Sequence, residues 1–206
     1  MREIILDGKS MTLEDIMSIG SMPTKILISK SARKLMADSR EYVESILESD
    51  ESVYGINTGF GSLSNVKIEP SQLQQLQRNL ILSHACGIGP NMNPVTSLRM
   101  LAIRANSLAV GVSGIRPEVV DTMLDLVNSG YAPTIPSVGS LGASGDLAPL
   151  AHMAMALIGE GQFMCKRGNK WEEIASKTVF ENIGKEPVIL SAKEGLSLIN
   201  GTSQMA

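Results

Sequence analysis

Gly139-Ser-Leu-Gly-Ala-Ser-Gly-Asp-Leu-Ala-Pro149 joins a glycine-rich loop to an apolar helical pattern, and the rest of the chain is read outward from it. At its centre sits Ala143-Ser144-Gly145. Gly145 offers an unhindered amide nitrogen, since glycine lacks a Cβ and tolerates strained backbone. Ala143 offers a carbonyl, and Ser144 a β-hydroxyl that can leave as water. Cyclisation with loss of two waters would give a methylidene-imidazolone, an electrophile of a kind that ordinary side chains do not supply. Two plainer readings stand beside this one. The stretch can be a flexible loop capped by Asp146, or a glycine-rich anion nest at a helix start. The nest is the weaker, because no lysine follows the glycines and Asp146 would repel an anion.

Downstream, Asp146 is expected to cap a helix through Leu150, Met153, Leu157 and Ile158 to Gly159. That helix is apolar almost all round and should be buried. A hairpin is expected over 161–175 about Arg167-Gly-Asn-Lys170, and a short strand over Val188–Leu190. Ser191-Ala-Lys-Glu194 has the spacing of a capping box that opens a last helix.

Upstream, the punctuation is helical. Asn93-Pro94 and Pro117 place proline at first helical positions. The stripe Leu98, Leu101, Ala105, Leu108 and Val112 suits one packed face, as does Val120, Met123, Leu124 and Val127, with Gly130 as a stop. Pro70-Ser71-Gln-Leu-Gln74 reads as another capping box, before a face of Leu73, Leu76, Leu80 and His84. A further helix is expected after Ser29, through Leu35, Met36, Val43, Ile46 and Leu47. Thr12-Leu-Glu-Asp15 reads as a helix start and Glu3–Leu6 as a short strand. Residues 52–66 and 131–145 read as loops.

Composition agrees with a mainly α fold of packed helices. Apolar residues make up 43% of the 206, which allows a sizeable core, while aromatics are only 3%. A net charge of −3, with no basic patch, argues against a nucleic-acid partner. No apolar run is long enough for a signal peptide or a membrane span, so a cytoplasmic protein is expected. Cys86 and Cys165 show no metal or redox spacing and are read as structural.

The run from Gly139 to His152 resembles the signature of the aromatic amino acid ammonia-lyases, whose prosthetic group forms from Ala-Ser-Gly. Three further stretches resemble motifs of that family and follow its order. These are Tyr54-Gly-Ile-Asn-Thr-Gly-Phe-Gly61, Asn79-Leu-Ile-Leu-Ser-His84-Ala-Cys-Gly87, and Leu198-Ile-Asn200-Gly-Thr202. Within the family, Ser83-His84 resembles the histidine-specific members.

The resemblance implies the mainly α ammonia-lyase fold with a few short strands. It implies methylidene-imidazolone formed autocatalytically from Ala143, Ser144 and Gly145, with no metal, and elimination of ammonia from L-histidine to trans-urocanate. Tyr54 becomes an active-site phenol, and His84 and Asn200 become substrate-binding residues. A homotetramer is expected, acting on L-histidine with no nucleic-acid or membrane partner. For each residue a plainer reading is also open. Tyr54 can be a surface loop residue, His84 a helix C-terminal histidine, and Asn200-Gly201 a turn. His152 is read as a satisfied core histidine.

Family chains are more than twice this length, so residues 1–206 resemble the N-terminal portion only. The C-terminal half supplies a second tyrosine, an arginine and an acidic residue in that family. The 206 residues alone are therefore expected to be inactive, with ring closure incomplete. Two alternatives are a lyase or aminomutase acting on tyrosine or phenylalanine, and a non-catalytic helical scaffold.

Overall fold

The computed structural model describes residues 1–206 except Asp50, Ser62, Leu63, Ala143 and Ser144. The architecture is mainly α, with short strands at its margins. Strand β1 (Arg2–Leu6) alternates, burying Ile4 and Leu6 and exposing Glu3 and Ile5. It pairs in parallel with β2 (Thr24–Ile28), Ile4 opposite Ile26 and Leu6 opposite Ile28. Helix α1 (Leu13–Ser18) connects them and starts on a complete capping box, Thr12 with Asp15. β2 has no counterpart in the sequence reading. Its other edge is satisfied from a helix: Asn128 accepts from the Ile26 N–H at 2.8 Å and donates to the Ile26 carbonyl at 3.0 Å.

Helix α2 (Lys30–Glu48) starts at Ser29, whose hydroxyl accepts from the Ala32 N–H. It buries Met36, Val43 and Ile46 as expected, but Leu35 is exposed. The buried stripe takes in Arg40 instead, which donates to the Gly114 and Ala192 carbonyls and to Ser191.

Four helices make the core around the site: α3 (Pro70–His84), α4 (Pro94–Leu108), α6 (Leu147–Leu157) and α8 (Glu194–Ile199). Helix α5 (Pro117–Asn128) packs on α4 and β2. Asn93 caps α4, with Pro94 in the first turn, and Pro117 opens α5. In α6, Leu150, Ala151, Met153, Ala154, Ala156 and Leu157 are fully enclosed. Cutting Leu150, Met153 or Leu157 back to alanine costs about 2–5 kcal/mol, transfer and cavity together. Val112 lies beyond the end of α4 and is exposed, so the stripe read through it stops at Leu108.

Two expected caps differ. Helix α3 begins at Pro70 with Glu69 at the cap position and no side-chain cap bond, so Ser71 already lies inside the helix. Proline at the first position starts the helix without needing a donor. At α8, Glu194 accepts from the Ser191 N–H at 2.7 Å, but the Ser191 hydroxyl accepts from Arg40 rather than closing the box. Lys193 precedes α8 with φ +69°.

The expected hairpin is present as β6 (Gln162–Arg167) and β7 (Lys170–Ala175), followed by α7 (Ser176–Ile183). Within 131–145, read as a loop, β4 (Ala132–Pro133) pairs with β6 and β5 (Pro136–Val138) pairs with β3 (Ile88–Asn91). Val188–Leu190 is not a strand. The Val188 N–H bonds the Leu157 carbonyl at 2.9 Å, which fastens the segment to the end of α6. Both cysteines are free thiols. No helix among the described residues is long and apolar enough to cross a membrane.

Candidate active site

Helices α3, α6 and α8 pack on one another, and three ends of this trio carry the residues singled out from the sequence. His84 ends α3, Gly145 and Asp146 precede α6, and Asn200 ends α8. Inside the trio, Gln77 of α3 is fully buried and accepts from the Gly195 N–H at 2.9 Å, which fixes α8 along α3.

Asp146 occupies the position before α6 but makes no side-chain cap bond to its own helix. The carboxylate is fully buried and turned to other segments. Oδ1 accepts from the Ser140 hydroxyl at 2.6 Å, and Oδ2 from the Gln204 and Met205 N–H groups at 2.7 and 3.0 Å. Its own N–H donates to the Gly201 carbonyl at 2.7 Å. The residue expected as a cap therefore clamps the 139–146 loop to the turn after α8.

Gly145 lies in that clamp with φ +113°, and a Cβ there would stand 2.7 Å from the Gly201 oxygen. Both conformation and space require glycine. The Ala143 and Ser144 assignments fall outside the described residues, so the structural account of the tripeptide rests on Gly145.

Asn200 is the C-cap of α8 and is exposed. Asn200-Gly201 is thus a helix end and not a hairpin turn. Gly201 lies against its neighbour: a Cβ would stand 2.0 Å from Nη1 of Arg104 and would push the guanidinium aside.

His84 is partly buried. Its Nδ1 lies 2.8 Å from the Leu80 carbonyl and 3.1 Å from the Ser83 hydroxyl. A carbonyl only accepts, so Nδ1 carries the proton and Nε2 is the acceptor of the neutral ring. Three residues on, Gly87 packs against the glycine loop, with its Cα 3.3 Å from where a Gly139 Cβ would sit. The Gly87 N–H also donates to Nε2 of His152 at 3.0 Å. His152 is partly buried, and burial holds its pKa below the usual histidine value. The ring is satisfied at Nε2, as expected, but is partly buried rather than enclosed in the core.

Tyr54 is 58% exposed, with its ring edge-on to Phe60 at 6.1 Å. Its loop is ordered by Asn57, which accepts from the Val53 N–H and donates to the Glu51 carbonyl. A Cβ at Gly55 would meet Leu196 of α8 at 2.6 Å, so the tyrosine loop lies against the helix that ends at Asn200. Close approaches at Gly55, Gly139 and Gly145 thus bring the four motifs together about α8 and the start of α6. Among the described residues, no hydrogen bond directly joins the side chains of Tyr54, His84 and Asn200.

The sequence marks Glu194 only as part of a capping box and does not mark Arg104 at all. Glu194 is fully buried and holds Arg116 through both oxygens, at 2.8 and 2.7 Å, which anchors the start of α8. Arg104 lies behind the α8 end with 4% of its surface exposed. No local pattern marks Arg104 or the pairing of Glu194 with Arg116, because those partners are far away in the chain. Among the described residues, no group of three or more His, Cys, Asp or Glu is placed to hold a metal.

Comparison with known proteins accords with this arrangement. A histidine ammonia-lyase of Shouchella clausii is 49% identical over 98% of this chain and 40% of its own length. The crystal structure of histidine ammonia-lyase from Trypanosoma cruzi superposes with a TM-score of 0.89 at 39% identity, over 98% of this chain and 38% of that one. Ergothionase from Treponema denticola, described as an ergothioneine-degrading enzyme, gives a TM-score of 0.91 at 30% identity, over 98% and 40%. The chain thus spans about 40% of the length of the histidine ammonia-lyase it matches. The family model for aromatic amino acid lyases matches residues 11–206. By this match and these relatives, the chain belongs to the aromatic amino acid lyases.

Proposed function

We propose that these residues form part of a histidine ammonia-lyase, which eliminates ammonia from L-histidine to give trans-urocanate. In this reading residues 1–206 are the N-terminal portion of the catalytic unit, in a homotetramer, and do not turn over substrate alone. The observation that carries the reading is the 2.7 Å bond from the Asp146 N–H to the Gly201 carbonyl, which ties the backbone just after Gly145 to the helix end bearing Asn200.

The residues present fit a methylidene-imidazolone. Gly145 has the positive φ that only glycine adopts readily, and its lack of a Cβ leaves its nitrogen unhindered for ring closure. The Asp146 clamp holds its C-terminal side still, and ring closure is a reaction governed by proximity. When formed, the ring supplies an electrophile that makes the substrate's amino group a good leaving group.

The remaining roles belong to this chain's side chains. His84, with Nδ1 committed to the Leu80 carbonyl, offers Nε2 to an N–H of the substrate imidazole. Asn200, which precedes the Gly201 packed on Gly145, offers an exposed amide able to donate and accept. Tyr54 offers an exposed phenol able to exchange a proton with the substrate.

Two measurements test the proposal on a chain of the relatives' full length, completed if needed with the C-terminal part of the Shouchella clausii relative. Intact mass should show loss of two waters within residues 143–145. Histidine should be converted to urocanate far faster than tyrosine or phenylalanine, and His84→Phe should cut histidine turnover at least about tenfold, the scale of one lost site hydrogen bond. Turnover of tyrosine or phenylalanine at rates equal to histidine would refute the substrate assignment. An unmodified Ser144 in the assembled protein would favour the non-catalytic scaffold instead.

A further inference from the structure

Arg104, on α4, is buried, and no carboxylate among the described residues pairs with it. Its Nη2 donates to the carbonyls of Ser197 and Asn200, the latter at 2.9 Å, while its Nε has no partner. Burial lowers the guanidinium pKa to about 10, which leaves it charged at neutral pH. A buried cation without a counter-ion is an expensive way to close a helix, since a neutral donor or water would satisfy the same carbonyls at lower cost. What the arginine adds is rigidity. A planar fork pressed on the α8 end fixes both its carbonyls and the path of Gly201, where even a Cβ would collide with Nη1. The Gly201 carbonyl in turn receives the Asp146 N–H and forms the wall against Gly145.

We infer that Arg104 is a positioning residue for the Ala143-Ser144-Gly145 loop, acting through the Asn200-Gly201 turn to hold Gly145 and Asp146 in the geometry that ring closure requires. Its bearing on ring closure rests on the proposed electrophile; its hold on Asp146 does not.

The test uses the same full-length chain with Arg104→Met, Arg104→Lys and Gly201→Ala. Circular dichroism and oligomer size report the fold. Amide exchange over 139–149 reports the Asp146 N–H, and intact mass reports closure. Folded Arg104→Met should exchange the Asp146 amide at least about tenfold faster, the scale of one lost charge-assisted bond, and should lack the two-water deficit. Arg104→Lys should restore part of both, because an ammonium can still donate to one carbonyl. Should Arg104→Met fail to fold, Gly201→Ala reads the same contact by pushing the guanidinium aside, and the same losses are expected. Asp146 exchange and the mass deficit at wild-type values in either folded variant would overturn the inference. A wild type without the deficit, combined with faster Asp146 exchange in Arg104→Met, would reject the electrophile and retain Arg104 as the support of the loop.

Discussion

Asp146→Ala should destabilise the fold far more than Asp146→Asn, and the difference follows from which oxygen serves which donor. Oδ2 accepts from two backbone N–H groups, and Oδ1 from the Ser140 hydroxyl. Alanine removes all three acceptor contacts. Each hydrogen bond to a charged group contributes about 1.5–3 kcal/mol, and a hydroxyl can turn to another partner. Counting only the two backbone donors at the lower value gives a loss of about 3 kcal/mol. For a chain of this size that is a fall in Tm of roughly 6–12 °C. Asparagine can keep its oxygen on the Gln204 and Met205 amides and turn its NH2 to Ser140, whose hydroxyl accepts as well as donates. Its loss should stay near 1 kcal/mol, or about 3 °C. Thermal and urea unfolding followed by circular dichroism measure both. Equal shifts for the two variants, or a shift under about 2 °C for Asp146→Ala, would show that the buried carboxylate is not the clamp described.

Tyr54→Phe should leave stability within about 0.5 kcal/mol, because the ring is exposed and its contact with Phe60 survives. In the full-length enzyme the same change should lower turnover by about 10²-fold or more, the scale of a lost proton-transfer group. An unchanged rate would remove the phenol from the proton path. His152→Gln tests the link between α6 and Gly87. Burial lowers the His152 pKa below 6.5, so the unfolded chain binds the proton more readily than the folded one. The stability this group contributes is complete above about pH 6.5 and is lost as pH falls through the lower folded value. Wild-type urea midpoints should therefore drop between pH 7.5 and 5 by more than those of His152→Gln; equal drops would place the acid sensitivity elsewhere.

What could be read from the chain was what is decided locally. Thr12, Ser29, Asn93, Pro94 and Pro117 act on groups within a few residues, and the helices they open are present. The hairpin over 161–175 was legible for the same reason. Local patterns failed where a distant partner outbid them. Ser191 has capping-box spacing, yet its hydroxyl accepts from Arg40, 151 residues away. Asp146 precedes a helix, yet its carboxylate serves residues 58 and 59 positions further on. Asn200-Gly201 has the composition of a turn, yet the glycine lies against Arg104. Arg104 and Gln77 carried no signal at all, because a polar residue inside an apolar helix pattern gains meaning only from what packs on it.

The same fact explains why the motifs can be short while the site needs a whole core. Tyr54, His84, Gly145 and Asn200 are not joined side chain to side chain. They are set by close approaches at glycines: Gly55 on the Leu196 side chain, Gly139 on the Gly87 backbone, and Gly145 on the Gly201 backbone. At Gly139 and Gly145 these close approaches are to backbone atoms, so they transmit the packing of the helices to the loop with little side chain between to absorb an error. A change in the buried faces of those helices should therefore reach the 139–146 loop, as close-packed interiors transmit strain. Substitutions on the exposed face of α2, which contributes none of these contacts, should not. The chemistry of the tripeptide is local, but the geometry that permits it belongs to the packed helices.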